Sequence, residues 1–170
     1  MSNVVVRRVE SKKDLKKFVK VPFHVHRDHP EWVPPLIMER MDFLNRKKNP
    51  YFDHAEVELL IAERDGVPVG RISAQIDDRW DEYRGGNDGQ FGFFETIDDA
   101  EVADALLDAG CEWLAGKGRE KVYGPMDFTT NDEIGIQIEG FDIRPVILEN
   151  CHQPYFMDLV EGNGFTKAMD

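Results

Sequence analysis

The chain has 170 residues, enough for one domain to bury a core without disulfide or metal staples. Hydrophobic residues make up 41%, which excludes a disordered chain. The 33 acidic residues against 21 Lys and Arg give a net charge of −12, which argues against a nucleic-acid or anionic-membrane binder, since both need a basic stripe.

In chain order, residues 3–9 predict a strand on the β-branched run Val4 to Val6 and Val9. Ser11, with Asp14 three residues on, predicts a helix start, and Leu15, Phe18 and Val19 give its apolar stripe. Pro22 is expected to limit that helix. His29 to Pro35 is a loop, and Pro35 opens a second helix carrying Leu36, Met38, Met41, Phe43 and Leu44 toward Asn49-Pro50. Arg46, Lys47 and Lys48 suit the C-terminal end of that helix.

Residues 57–64 and 67–77 predict a hairpin about the Asp65-Gly66 turn. In its second strand Ile72, Ala74 and Ile76 alternate with Arg71, Ser73 and Gln75. Residues 79–89 read as a polar loop, and 90–95 as a strand bearing Phe91, Phe93 and Phe94. Residues 99–116 form the best-defined helix, capped by Asp98 with Glu101 and stopped by Gly116 and Gly118. A short strand at Val122-Tyr123 ends at Gly124-Pro125. Then come a helix or turn over 131–140, a strand at 145–148, a helix at 155–161 and a closing strand from Phe165. With no repeat or linker, the expectation is one α/β (α+β) domain over 1–170: a central mixed, mostly antiparallel sheet flanked by helices.

Cys111 and Cys151 make no metal-ligand spacing and no disulfide framework, so reduced thiols and a cytoplasmic location are expected. No apolar run approaches the roughly 20 residues of a membrane span. His24, His26 and His29 form H-x-H-x-x-H, but the segment straddles a helix end and a proline loop, so no metal site is expected. A metal-dependent hydrolase using these histidines is kept only as a contrast.

The element order, together with Trp32-Val33-Pro34-Pro35, Gly92-Phe93-Phe94-Glu95, Gly124-Pro125-Met126, Asn131-Asp132-Glu133-Ile134-Gly135, Glu139-Gly140-Phe141-Asp142, Gln153-Pro154-Tyr155-Phe156 and the Gly164-Phe165 ending, resembles the GNAT superfamily of acyl-CoA-dependent N-acyltransferases. It resembles more specifically the N-terminal module of bacterial GNAT-like proteins, so the chain is expected to be one GNAT-like domain and could be the N-terminal half of a longer protein. The resemblance implies acetyl-CoA or another acyl-CoA as co-substrate, lying where the fourth and fifth strands splay apart, with transfer to a small-molecule amine. It implies Glu95 as proton acceptor and Tyr155 as proton donor; following an aromatic strand, Glu95 is expected to have a raised pKa if partly buried. It places Phe93, Phe94, Glu95 and Asn131 against the acyl-CoA, and leaves open a homodimer or a second GNAT-like module as partner.

The chain departs from the family pattern at two places. The expected glycine-rich, basic phosphate loop reads Glu95-Thr96-Ile97-Asp98-Asp99-Ala100, and Val160 stands where the family often has tyrosine. These departures motivate a second reading: a GNAT-fold binding or interaction module without the reaction.

Overall fold

The computed structural model describes residues 3–169. Five strands form one sheet in the order β1 (Val4–Arg8), β2 (Ala55–Arg64), β3 (Val67–Asp77), β4 (Asp88–Thr96), β5 (Lys121–Tyr123). Neighbours are antiparallel except β4 and β5, which are parallel. This is the mixed, mostly antiparallel sheet that the sequence predicts.

β2 and β3 turn at Asp65 (φ 53°) and Gly66 (φ 78°), both in the left-handed region that a two-residue hairpin turn requires. β2 is covered on both faces. Leu60 and Ala62 pack with Ile72, Phe91 and Phe94 under α4 (Ala100–Gly116). Leu59 and Ile61 pack with Phe18 and Phe93 under α1 (Lys12–Val25) and α2 (Ile37–Phe43).

The α1 capping box forms as expected between Ser11 and Asp14. The helix does not stop at Pro22 but runs on to Val25. Proline has no N–H, so the Phe18 carbonyl one turn back loses its helical partner. The buried Arg71 side chain supplies one instead, its Nη1 donating to Phe18 O at 3.3 Å.

Other elements shift. The loop expected at 79–89 contains α3 (Asp78–Arg84), capped by Asp77, and a 3₁₀ turn at Pro50–Asp53 follows α2. The α4 cap is Asp99 rather than Asp98. No strand forms at 145–148 or 165–169 and no helix at 131–140; residues 124–155 are turns and coil until α5 (Phe156–Gly162). Ile143, Val146, Ile147 and Leu148 are exposed there, so that stretch buries too little apolar surface to pair as a strand. Among the described residues no helix is long and apolar enough to cross a membrane.

Candidate functional site

β4 and β5 pair only at Asp88–Lys121, Gly89–Val122 and Gln90–Tyr123, and then the two chains part. The β3–β4 register slips between Arg71 and Ser73, and Phe93 sits in this bulge with φ 48°. A non-glycine residue held there is strained by about 1–3 kcal/mol, and such strain clusters at functional sites. The bulge sends Phe93 to the α1 face and Phe94 to the α4 face, and it turns the Phe93 N–H into the gap.

The chain after β5 walls the gap at close range. A Cβ on Gly92 would lie 2.0 Å from the Met126 carbonyl oxygen, and one on Gly124 would lie 2.4 Å from Phe91, so neither position tolerates a side chain as the backbones stand. Met126 N–H donates to Phe91 O at 2.8 Å, and Gln75 Nε2 donates to Met126 O at 2.8 Å. Phe128 stacks on Tyr51 with ring centroids 4.4 Å apart and on Phe43 at 5.3 Å. The Phe93 N–H is taken by Asp127 Oδ1 at 2.6 Å. The space left, lined by Phe93, Phe94, Glu95, Asp127, Glu133 and His152 among others, is about 10 Å³, room for about one water.

Ionisable groups converge on this cavity. Glu95 on β4 meets His26 Nε2 at 2.6 Å, at the end of α1, and Arg71 Nη2 at 3.8 Å. Arg71 is 7% exposed and lies over the Phe18 and Phe93 rings at 5.0 and 5.4 Å. Burial alone would push the Glu95 carboxyl up, but the His26 charge and hydrogen bond and the Arg71 charge outweigh it. Its pKa therefore lies below the ordinary value, opposite to the raised value expected from burial. Asp127, 8% exposed, is pushed up to about 8, first by burial and then by the Glu133 charge. Burial also raises Glu133, against the charge of Arg40. His152 is pushed down to about 4 by burial.

The other expected residues lie differently. Tyr155 donates from its hydroxyl to Thr96 O at 2.8 Å, and burial raises its pKa. It packs on Phe156 beside the end of β4, outside the cavity lining. Asn131 is exposed, its N–H bonded to Thr129 Oγ1, while the neighbouring Glu133 reaches the cavity. At the N-terminus of α4, Asp99 accepts from Val102 N–H at 3.3 Å and pairs with Arg64 at 2.5 Å; Arg64 also holds Glu101 at 2.8 Å. Among the described residues no His, Cys, Asp and Glu gather into a metal-holding set, and His26 serves Glu95 and stacks on Trp32 at 5.3 Å. A larger open groove of about 730 Å³ beside β5, near Tyr83, Asp88 and Tyr123, holds no buried ionisable cluster.

Sequence reasoning missed Arg71, Asp127, His26 as a carboxylate partner and His152. The visible signals were the polar row Arg71, Ser73, Gln75, which faces the wall of the gap rather than solvent, and Asp127 directly after the Gly124-Pro125-Met126 segment.

No protein-family model matches the chain. It is 41% identical over 163 residues to a bacterial ceramide synthase of Caulobacter vibrioides (strain NA1000 / CB15N), covering 95% of this chain and 42% of that protein. It is 39% identical over 166 residues to protein YghO of Escherichia coli (strain K12), covering 98% of this chain and again 42% of the relative. The chain thus spans about two-fifths of the length of these relatives. Among solved structures, an aminoglycoside acetyltransferase from an uncultured soil metagenomic sample, in complex with sisomicin, superposes with a TM-score of 0.59 at 14% identity, over 98% of this chain and 91% of that one. The chain has the fold of the GNAT acetyltransferases.

Proposed function

We propose that this GNAT-fold chain takes part in acyl transfer from an acyl-CoA thioester to an amine, at the parting of β4 and β5. The observation that carries the reading is the three-residue β4–β5 pairing, followed by a bulge that turns β4 toward a pocket lined by Glu95, Asp127 and Glu133. Glu95, ionised and braced by His26 and Arg71, is the group proposed to take the amine's proton, and Phe93 and Phe94 line the acyl thioester's path. Asn131 and Tyr155, both outside the cavity lining, are the candidate donor-binding and acid groups, Tyr155 reachable once its bond to Thr96 O opens. The relative's ceramide product is an amide of a long-chain amino alcohol, which supports amide formation as the chemistry. Because the relatives are longer, a second module is proposed as a partner in the whole protein's reaction.

The donor's diphosphate does not fit the N-terminus of α4 as it stands. Asp99 takes helix N–H groups there, and Arg64 is spent on Asp99 and Glu101. The reading rests on the thioester end of the donor, and no step involves the nucleotide.

Thermal titration with acetyl-CoA and with palmitoyl-CoA tests the proposal. A ligand at about 100 times its Kd stabilises by about 2.7 kcal/mol, and no shift at millimolar donor overturns it. A second reading, an interaction module without acyl transfer, is favoured by the closed cavity of about 10 Å³ and by the Asp127 Oδ1 that accepts from the Phe93 N–H. It predicts the same absence of a shift for both donors.

A further inference from the structure

Resting on that acyl-transfer reading, we propose that His152 donates its Nε2–H to the carbonyl oxygen of the acyl donor and stabilises the oxyanion of the tetrahedral intermediate.

The tautomer is set by geometry. The Gln137 backbone N–H donates to His152 Nδ1 at 3.1 Å, and a backbone nitrogen has only a proton to give, so Nδ1 carries a lone pair. The Gln137 side chain returns the bond, its Oε1 accepting from the His152 backbone N–H at 2.9 Å. This reciprocal clamp, with Phe156 5.1 Å away across the ring, fixes the imidazole. The ring is 8% exposed, and burial holds it neutral at pH 7. The single proton of a neutral ring whose Nδ1 is an acceptor lies on Nε2.

That N–H is available. Among the described residues His152 Nε2 has no hydrogen-bond acceptor, and it is not one of the buried polar atoms sealed from solvent, as His26 Nδ1 is. His152 lines the cavity with Phe93, Phe94, Glu95, Asp127 and Glu133. The main-chain donor that the bulge offers to the same space, Phe93 N–H, is already held by Asp127. The side chain therefore supplies the donor that the main chain does not.

The step balances without another reagent. The amine nitrogen forms a bond to the thioester carbon, and the carbonyl electron pair moves onto oxygen, which accepts the His152 Nε2–H. The C–S bond then breaks and the thiolate leaves with its pair. The amine's proton passes to Glu95 and on to the thiolate, so thioester and amine become amide and thiol. A fixed donor in a water-poor site is worth about 10²–10³ in kcat.

Two measurements on the full chain test this. Long-range proton–nitrogen correlation of ¹⁵N-histidine-labelled protein at pH 7 is expected to show His152 neutral with its proton on Nε2; an Nδ1–H tautomer or an imidazolium overturns the proposal. Thiol release from acetyl-CoA and palmitoyl-CoA, with a long-chain amino alcohol as acceptor, is then compared in His152→Asn and His152→Gln. The Gln amide nitrogen reaches the Nε2 position, whereas Asn occupies the Nδ1 position and keeps the Gln137 bond. His152→Asn is expected to lose about 10²–10³ in kcat with KM little changed, and His152→Gln to recover at least about tenfold of that loss, with folding of both checked by melting. A merely structural role reverses the order, and equal or reversed rates overturn the proposal. A wild-type chain that shows the Nε2–H tautomer but neither binds nor turns over either donor sinks the acyl-transfer reading, and the oxyanion role with it. Turnover unchanged in His152→Asn sinks the His152 role alone.

Discussion

Arg71 joins three features that are far apart in sequence: the carbonyl that Pro22 leaves open, the Phe18 and Phe93 rings, and Glu95 across the strand pair. Removing one partner of a buried ion pair costs about 3–5 kcal/mol, so Arg71→Met is expected to lose about 3 kcal/mol in denaturant unfolding. Part of that loss arises from the Phe18 carbonyl, which Pro22→Ala would return to its helical N–H. The double variant should therefore show a coupling of about 0.5–1 kcal/mol relative to the sum of the singles; strict additivity would rule out the Pro22–Arg71 link. At this scale the sequence was partly legible. The spacing in β3 marked Arg71, Ser73 and Gln75 as one face, but alternation alone does not say whether that face meets water or a wall. Glu95 was visible as a candidate, and its lowered pKa was not, because His26 arrives from a helix 69 residues away.

Among the elements, the long ones announced themselves. The β2–β3 hairpin and α4 carry strong periodicity and clear end signals, and both form within a residue or two of expectation. The failures share a cause. α1 passes through Pro22 because a side chain from β3 serves the orphaned carbonyl, a tertiary effect without a local signature. The stretch over 124–155 is held by particular side chains and an isolated Met126–Ile134 bridge rather than by a continuous backbone ladder, so periodicity had little to report there. The N-terminus of α4 yields a direct prediction. Asp99→Ser keeps a good cap and removes a negative charge, and it frees Arg64 from one of its two partners. It should tighten acyl-CoA binding several-fold, read by isothermal titration, and leave acyl-pantetheine affinity unchanged. A gain for both donors would mean that the diphosphate is not what Asp99 repels.

For the molecule as a whole, Asp127 and His152 act on stability in opposite directions. Asp127 has its folded pKa at about 8, above the ordinary 3.8, so the native state holds a proton that the unfolded chain has lost, and stability falls as pH rises between those values. His152 has its folded pKa at about 4, below the ordinary 6.5, so the unfolded chain takes up a proton that the native state refuses, and stability falls as pH drops through that window. From about pH 4 to 6.5 the two slopes cancel, and above 6.5 only the Asp127 decline remains. Asp127→Asn keeps an oxygen acceptor for the Phe93 N–H and removes the titration. It should melt above wild type at pH 8, and the gain should shrink as the pH falls and vanish by pH 4. A pH-independent difference would place the titrating group elsewhere.

The clamp on Phe128 bears on how the gap could widen. Its ring is pinned between Tyr51 and Phe43, on the face of the sheet away from α4, while the two residues before it, Met126 and Asp127, touch β4. The strip after β5 is thus anchored at Phe128 by the aromatic stack and at Met126 and Asp127 by β4. Shaving that stack, as Phe43→Ala would, removes a ring that also meets Phe93 in the cavity wall, so the strip after β5 and the β4 side of the gap are expected to loosen together.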